Sequence, residues 1–266
     1  MKQSYDVSAF ADLIPREDPG DCVDAIYLRP GQLLMAIDRA PVAYLPLGTV
    51  EWHGRHNPLG CDALKTDALC RAVARKVGGV VFPPLHFGTD SYIEAGSGIG
   101  MGMDAYAGFA LPGSYYRIDE ELFVQLLIAA CGNYLARGFK LVYLVSGHNA
   151  QIQGHCLGRV AHHFANEDGY TPVAGCFEFD FMPDGPLRQA TGDHAGGYET
   201  AMMLHLHGER VNLDASRGVP RENLAQSNAF PMSETSAEQG RARFEAQVQG
   251  FCDHVTARLA GVSCKR

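Results

Sequence analysis

No stretch of this 266-residue chain approaches the roughly 20 consecutive apolar residues that a membrane span needs. The opening residues, Met-Lys-Gln-Ser-Tyr-Asp-Val, contain no apolar signal core. The expected compartment is therefore the cytoplasm. Basic charge is scarce as well: 22 Lys and Arg stand against 30 Asp and Glu, a formal net charge of -8. No basic stripe exists to meet phosphates, so neither nucleic acid nor membrane is an expected partner. None of the eight cysteines forms a Cys-x-x-Cys pair, and they scatter through apolar stretches. Reduced, mostly buried thiols fit that pattern better than a disulfide framework. The glycine-rich stretch 96–103 lacks the lysine of a phosphate-binding loop. No internal repeat and no linker divides the chain, which predicts one domain over residues 1–266.

What is present reads as ordinary globular protein, 46% hydrophobic and 20% charged. Residues 1–20 are polar, hold Pro15 and Pro19, and are expected to form an irregular arm. Short apolar strands are predicted at 42–47, 79–82, 140–145 and 171–177. Helical spacing of apolar residues predicts helices within 25–40 and at 63–77, 118–137, 151–166, 197–207 and 234–260. Residues 88–117 carry many glycines and are expected to form a long loop, a lid or a subunit contact. Alternating strands and helices point to an α/β fold whose mainly parallel sheet is covered on both faces.

Three polar clusters stand out. Glu51, His53, His56 and Asp62 follow the first strand, and Ser146-Gly147-His148-Asn149 follows the third. Asp193-His194-Ala195-Gly196-Gly197-Tyr198-Glu199-Thr200 opens a helix. Ligands of open α/β sheets bind beyond the carboxyl ends of strands. In extended backbone Glu51 and His53 point the same way. A carboxylate beside an imidazole suits zinc, manganese or iron. A lone Glu-x-His pair, however, is usually a solvated surface pair or part of a structural ion network. Asp62 and His148 complete a ligand set only if the fold brings them in, with Asp62 the candidate bridge between two metals.

The residues resemble the creatininase (creatinine amidohydrolase) family. Its pattern is matched by Leu45-Pro46-Leu47-Gly48-Thr49-Val50-Glu51-Trp52-His53-Gly54-Arg55-His56-Asn57-Pro58, with Asp62 eleven residues after the glutamate. Pro112-Gly113-Ser114, Ser146-Gly147-His148 and His194-Ala195-Gly196-Gly197-Tyr198-Glu199-Thr200 are similar to its later motifs, in family order. The resemblance covers roughly residues 42–205 and implies a three-layer α/β/α sandwich, often assembled as a homo-hexamer. It implies two divalent metal ions per subunit: one on Glu51, Asp62 and His148, the other on His53 and Asp62. Where creatininase has a further glutamate ligand, two residues after the second-motif histidine, this chain has Ala150. Glu199 or water is then expected to fill that place, or one metal binds tightly. Glu199 alternatively orients His53 or His148.

The expected chemistry is hydrolysis of a C–N bond in a small, possibly cyclic, amide by metal-activated hydroxide. His194 is the expected proton shuttle. Its competing role is structural, at a helix N-terminus. His56, Trp52 and Tyr115 are candidate substrate contacts, with packing as the competing role. Cys61 reads as a packed small side chain. Creatinine itself is a doubtful substrate given Ala150. The alternatives are a deformylase or peptidase-like member of the same family, a catalytically inactive small-molecule-binding homologue, and a sugar-type isomerase.

Overall fold

The structure, a computed structural model, describes residues 13–95, 98–185, 187–188, 193–216 and 235–263. Residues 13–20 of the expected arm contain no helix or strand, and the rest of that arm lies outside the described residues.

Four strands form one parallel sheet in the order β2-β1-β5-β6: β1 (Val42–Leu47), β2 (Val80–Val81), β5 (Leu141–Ser146) and β6 (Val173–Phe177). Every residue of β1 and β5 is buried, as two-sided cover of a parallel sheet requires. Pro46 is tolerated in this central strand for a local reason. The Pro46 carbonyl accepts from Leu85 on the β2 side, so its missing N–H falls where β2, ending at Val81, has stopped.

The pleat sends alternate residues to opposite layers. Tyr44, Tyr143 and Val145 pack under α2 (Cys61–Val77) and α7 (Ala237–Ser263), against Leu69, Val73, Phe251 and Val255. Leu45, Leu47, Val142 and Leu144 face α1 (Pro30–Arg39), α4 (Glu120–Ala136) and α5 (Gln151–His163), against Phe123, Leu127 and Leu157. The result is a three-layer α/β/α sandwich. The chain leaves β1 through α2 towards β2 and leaves β5 through α5 towards β6. The two crossovers diverge, so the ends of β1 and β5 flank the switch point where such sheets bind ligands.

One expectation needs correction. Residues 88–117 are not a plain loop: β3 (Tyr92–Ala95) and β4 (Gly98–Met101) pair as an antiparallel hairpin, and α3 (Gly102–Ala107) follows. Glycine content there marks tight packing. A Cβ on Gly102, which has φ +52°, would lie 1.9 Å from the Asp90 carboxylate. Arg117 then ties the segment down through ion pairs to Asp90 at 3.0 Å and Asp104 at 2.8 Å.

Candidate metal centre

Four strand ends deliver the site. The turn after β1 carries Glu51 and His53, and α2 begins early enough to hold Asp62 in its first turn. Thr89 and Asp90 follow β2, His148 follows β5, and Glu178 follows β6. The N-terminus of α6 (Gly197–His207) adds His194 just before it and Glu199 in its first turn. Two glycines let these parts meet. A Cβ on Gly48 would stand 2.3 Å from the Ala63 nitrogen, and one on Gly147 would stand 2.3 Å from the Asp62 carbonyl oxygen. The first turn of α2 therefore rests directly on the ends of β1 and β5.

Glu51, His53, Asp62 and His148 converge, at 3%, 0%, 1% and 6% exposure, too buried for a solvated surface pair. His53 Nε2 lies 3.1 Å from Asp62 Oδ1 and 3.6 Å from Glu199 Oε2. His148 Nδ1 lies 2.9 Å from Glu51 Oε1 and 3.4 Å from Asp62 Oδ2. Asp62 thus turns one oxygen to each histidine. Ligands about 2.1 Å from a shared ion stand about 3.0–3.4 Å apart, which is close to this spacing.

The ring orientations agree. His148 Nε2 donates to the Thr89 carbonyl at 2.9 Å and turns Nδ1 towards the carboxylates. His53 Nδ1 faces the Glu51 carbonyl at 3.3 Å and turns Nε2 towards Asp62 and Glu199. A backbone carbonyl behind each ring is the usual way a ligating histidine is oriented. Opposite a carboxylate each such nitrogen takes positive charge, its own proton or a metal ion in the proton's place. Asp62 Oδ2 is moreover buried without a hydrogen-bond partner. The donor set and this orphaned oxygen both fit a divalent ion.

The electrostatics point the same way. Burial disfavours charge on His53, but the Asp62 and Glu199 carboxylates outweigh it and raise its pKa well above the ordinary value. For His148 burial is likewise outweighed, by Glu51 and Asp62. Burial would raise the Asp62 carboxyl, yet His53, His148 and Lys65 hold it well below the usual range. This region is built to attract positive charge.

Several of its residues escaped sequence reasoning. Lys65, 1% exposed, reaches Glu199 Oε1 at 2.5 Å and Glu178 Oε1 at 3.1 Å. Its signal was available: Cys61, Lys65, Leu69 and Val73 share the buried face of α2, where a lysine is out of place. Asp193 accepts from the Tyr198 and Glu199 backbone N–H groups at 2.8 and 3.2 Å and so anchors the start of α6. Asp90 lies within ligand range of Glu51 and His148. Nothing in its local pattern pointed to it.

His194 Nε2 donates to the Trp52 carbonyl at 2.6 Å, and its Nδ1 faces Glu51 Oε1 at 4.0 Å. Its ring lies tilted by 35° against that of His53, with centroids 4.6 Å apart. Ala195, beside it, has φ +51°, the one non-glycine in the left-handed region among the described residues. Backbone strain of this kind gathers at functional sites. Cys61 is fully buried and burial pushes its thiol pKa well up, as a packed side chain requires.

A cavity of about 350 Å³ opens above this cluster. Glu51, Asp62, Asp90, His148, His194 and Glu199 line its floor, and Tyr92, Ile93, Met103 and Tyr106 its wall. The three residues expected at the substrate are not among its lining. His56 is buried against Thr200, 3.0 Å away, and Tyr115 is 75% exposed. Trp52 offers its backbone to His194 and Ser114. A larger recess of about 780 Å³ beside Tyr143, Tyr170, Phe181 and Arg258 contains none of the converging residues.

Comparison with known proteins places these observations. The profile described as "Creatininase: Creatinine amidohydrolase" matches residues 31–255. Creatinine amidohydrolase of Pseudomonas putida is 26% identical over 242 residues, 80% of this chain and 88% of that protein. Mycofactocin precursor peptide peptidase of Mycolicibacterium smegmatis is 23% identical over 202 residues, 73% of this chain and 66% of that protein. A zinc–zinc form of a mutant creatininase superposes with TM-score 0.69 at 22% identity, covering 89% of this chain and 98% of that one. A manganese creatininase gives 0.67 at 23% identity over 89% and 98%.

Proposed function

The chain belongs to the creatininase family, hydrolases of carbon–nitrogen bonds, and on that premise we propose that it is a metal-dependent amidohydrolase of small, non-peptide amides. The observation that carries the proposal is the buried convergence of Glu51, His53, Asp62 and His148, each histidine turning one ring nitrogen to the carboxylates and one Asp62 oxygen left without a hydrogen-bond partner.

Glu51, Asp62 and His148 would hold one divalent ion, and His53, Asp62 and Glu199 a second. Zinc or manganese is the expected metal, since related creatininase structures carry those names. When bound, such ions supply Lewis-acid activation of water and of the scissile carbonyl. The protein's own part is to orient and to move a proton. His194 is held by the Trp52 carbonyl at Nε2, so Nδ1 is the atom that carries a proton to the leaving nitrogen as the C–N bond breaks. Water adds to the carbon, and the departing nitrogen leaves as ammonia or an amine.

The cavity volume of about 350 Å³ suits a small molecule. Five carboxylates and no Lys or Arg stand among its described lining residues, and two divalent ions would offset most of that negative charge. Tyr92, Ile93, Met103 and Tyr106 supply an apolar wall, and the β3–β4 hairpin acts as the lid. A cytoplasmic homo-oligomer, a hexamer by family resemblance, belongs to the same proposal; light scattering checks the assembly.

The test is a panel of amides, lactams and formamides, assayed for ammonia, amine and formate with zinc- or manganese-loaded protein. Turnover of a non-peptide amide is expected, and Asp62→Ala is expected to lose both metal and turnover. Full activity in that variant refutes the bridging role, and cleavage confined to peptides moves the protein to the peptidase-like branch.

A further inference from the structure

Lys65 is a buried ammonium that the catalytic proposal leaves unused. It sits one helical turn after Asp62, is 1% exposed, and touches three carboxylates: Glu199 at 2.5 Å, Glu178 at 3.1 Å and Asp62 at 3.9 Å. Lys65 is not a lining residue of the cavity, so it does not meet substrate. A lysine taken fully out of water is costly, and replacing such clusters by apolar groups is often neutral or stabilising. A use beyond stability is therefore worth seeking.

The geometry around Glu199 supplies one. Its Oε1 accepts from Lys65, and its Oε2 accepts from the Ala195 N–H at 2.7 Å while facing His53 Nε2 at 3.6 Å. The two contacts fix the carboxylate plane and leave one oxygen aimed at His53. Ala150 lines the same cavity next to His148 and offers no ligand atom. The His53 half of the site thus relies on Glu199 for a carboxylate other than Asp62.

We infer that Lys65 is a positioning residue: by gripping Glu199 Oε1 it presents Glu199 Oε2 as the third ligand of the metal on His53 and Asp62. The inference rests on the proposed metal site. The distances rank the lysine's partners: Glu199 at 2.5 Å is held more closely than Glu178 at 3.1 Å. Lys65 therefore serves Glu199 first, and Glu178 steadies the lysine.

The experiment is calorimetric titration of metal-stripped full-length protein with zinc alone. Wild type is expected to bind two equivalents per chain. Lys65→Met is expected to keep the first within about twofold and to weaken the second at least tenfold, the usual scale for lost outer contacts of a metal ligand. Ala150→Glu in the Lys65→Met background is expected to restore the second equivalent, which a merely structural role of Lys65 does not allow. Should Lys65→Met fail to fold, Lys65→Met with Glu178→Leu removes the orphaned charge as well and gives the same reading. Two undiminished equivalents in the lysine variant overturn the inference and leave the metal site standing, as does loss of both equivalents together. A single equivalent in wild type overturns it too, and no zinc bound to wild type removes the metal site itself.

Discussion

Gly147→Ala tests the way the strand ends and α2 are joined. The new Cβ would lie 2.3 Å from the Asp62 carbonyl oxygen, 2.8 Å from its carbonyl carbon and 2.9 Å from its Cα. Ordinary contact begins at 3.4 Å, so the first turn of α2 must withdraw by the difference, 1.1 Å, or the end of β5 must yield. Neither moves freely. Thr66 bonds to the Leu47 carbonyl at 3.2 Å, and all six residues of β5 are buried. Overpacking of this kind costs about 1–3 kcal/mol, roughly 2–12 °C in melting temperature for a chain of this size. The functional loss exceeds the structural one. Asp62 carries a contact to each histidine, and metal ligands tolerate displacements of only about 0.2 Å. Zinc affinity is therefore expected to fall more than tenfold, read by calorimetry beside a thermal melt. Gly158→Ala is the control: it lies exposed within α5 with open space around it, and should gain about 0.5–1 kcal/mol. A Gly147→Ala protein with wild-type melting and wild-type zinc affinity refutes the close-approach argument.

Two further outcomes follow from the same geometry. His194→Gln should lower kcat about 10²–10⁴-fold while metal content, measured by mass spectrometry, stays at the wild-type level; loss of metal would make His194 a ligand instead of the proton carrier. Glu178, raised to about 7 by burial against the opposing Lys65, binds a proton in the folded state that the unfolded chain has released above about 4.5. Stability of the metal-free protein should thus fall as pH rises from about 4.5 to 7 and then level off with respect to this group. Asp193, raised to about 7 by burial and Glu199, acts in the same direction. Glu178→Gln should therefore flatten the slope without abolishing it, and an unchanged slope in chemical denaturation across that window contradicts the assignment.

Strands β1 and β5 were legible because burial on both faces leaves an unbroken apolar run, α2 and α5 because one face of each is apolar, and α4 because its apolar stretch is too long for a strand and starts at the Asp119 cap. The hairpin at Tyr92–Met101 was not, since its pairing depends on glycines packed against Ala105 and Asp90 from elsewhere in the chain. The four ligand candidates could be named from strand-end position and motif, and the structure brings them together. Lys65 left a signal, a lysine on the apolar face of α2, but its partner Glu178 shows only once α2 and the end of β6 are adjacent. Trp52 and Tyr115, expected at the substrate, are not among the residues that line the cavity. Which aromatic residues line it is decided by how the hairpin folds over the site.

Anomalous X-ray scattering at the zinc or manganese edge, on crystals of the loaded protein, tests the central claim most directly. Two peaks about 3.5–4 Å apart are expected, one on each side of Asp62, the first beside Glu51 and His148 and the second beside His53 and Glu199. Peaks confined to other parts of the molecule, or none at this cluster after loading, contradict it.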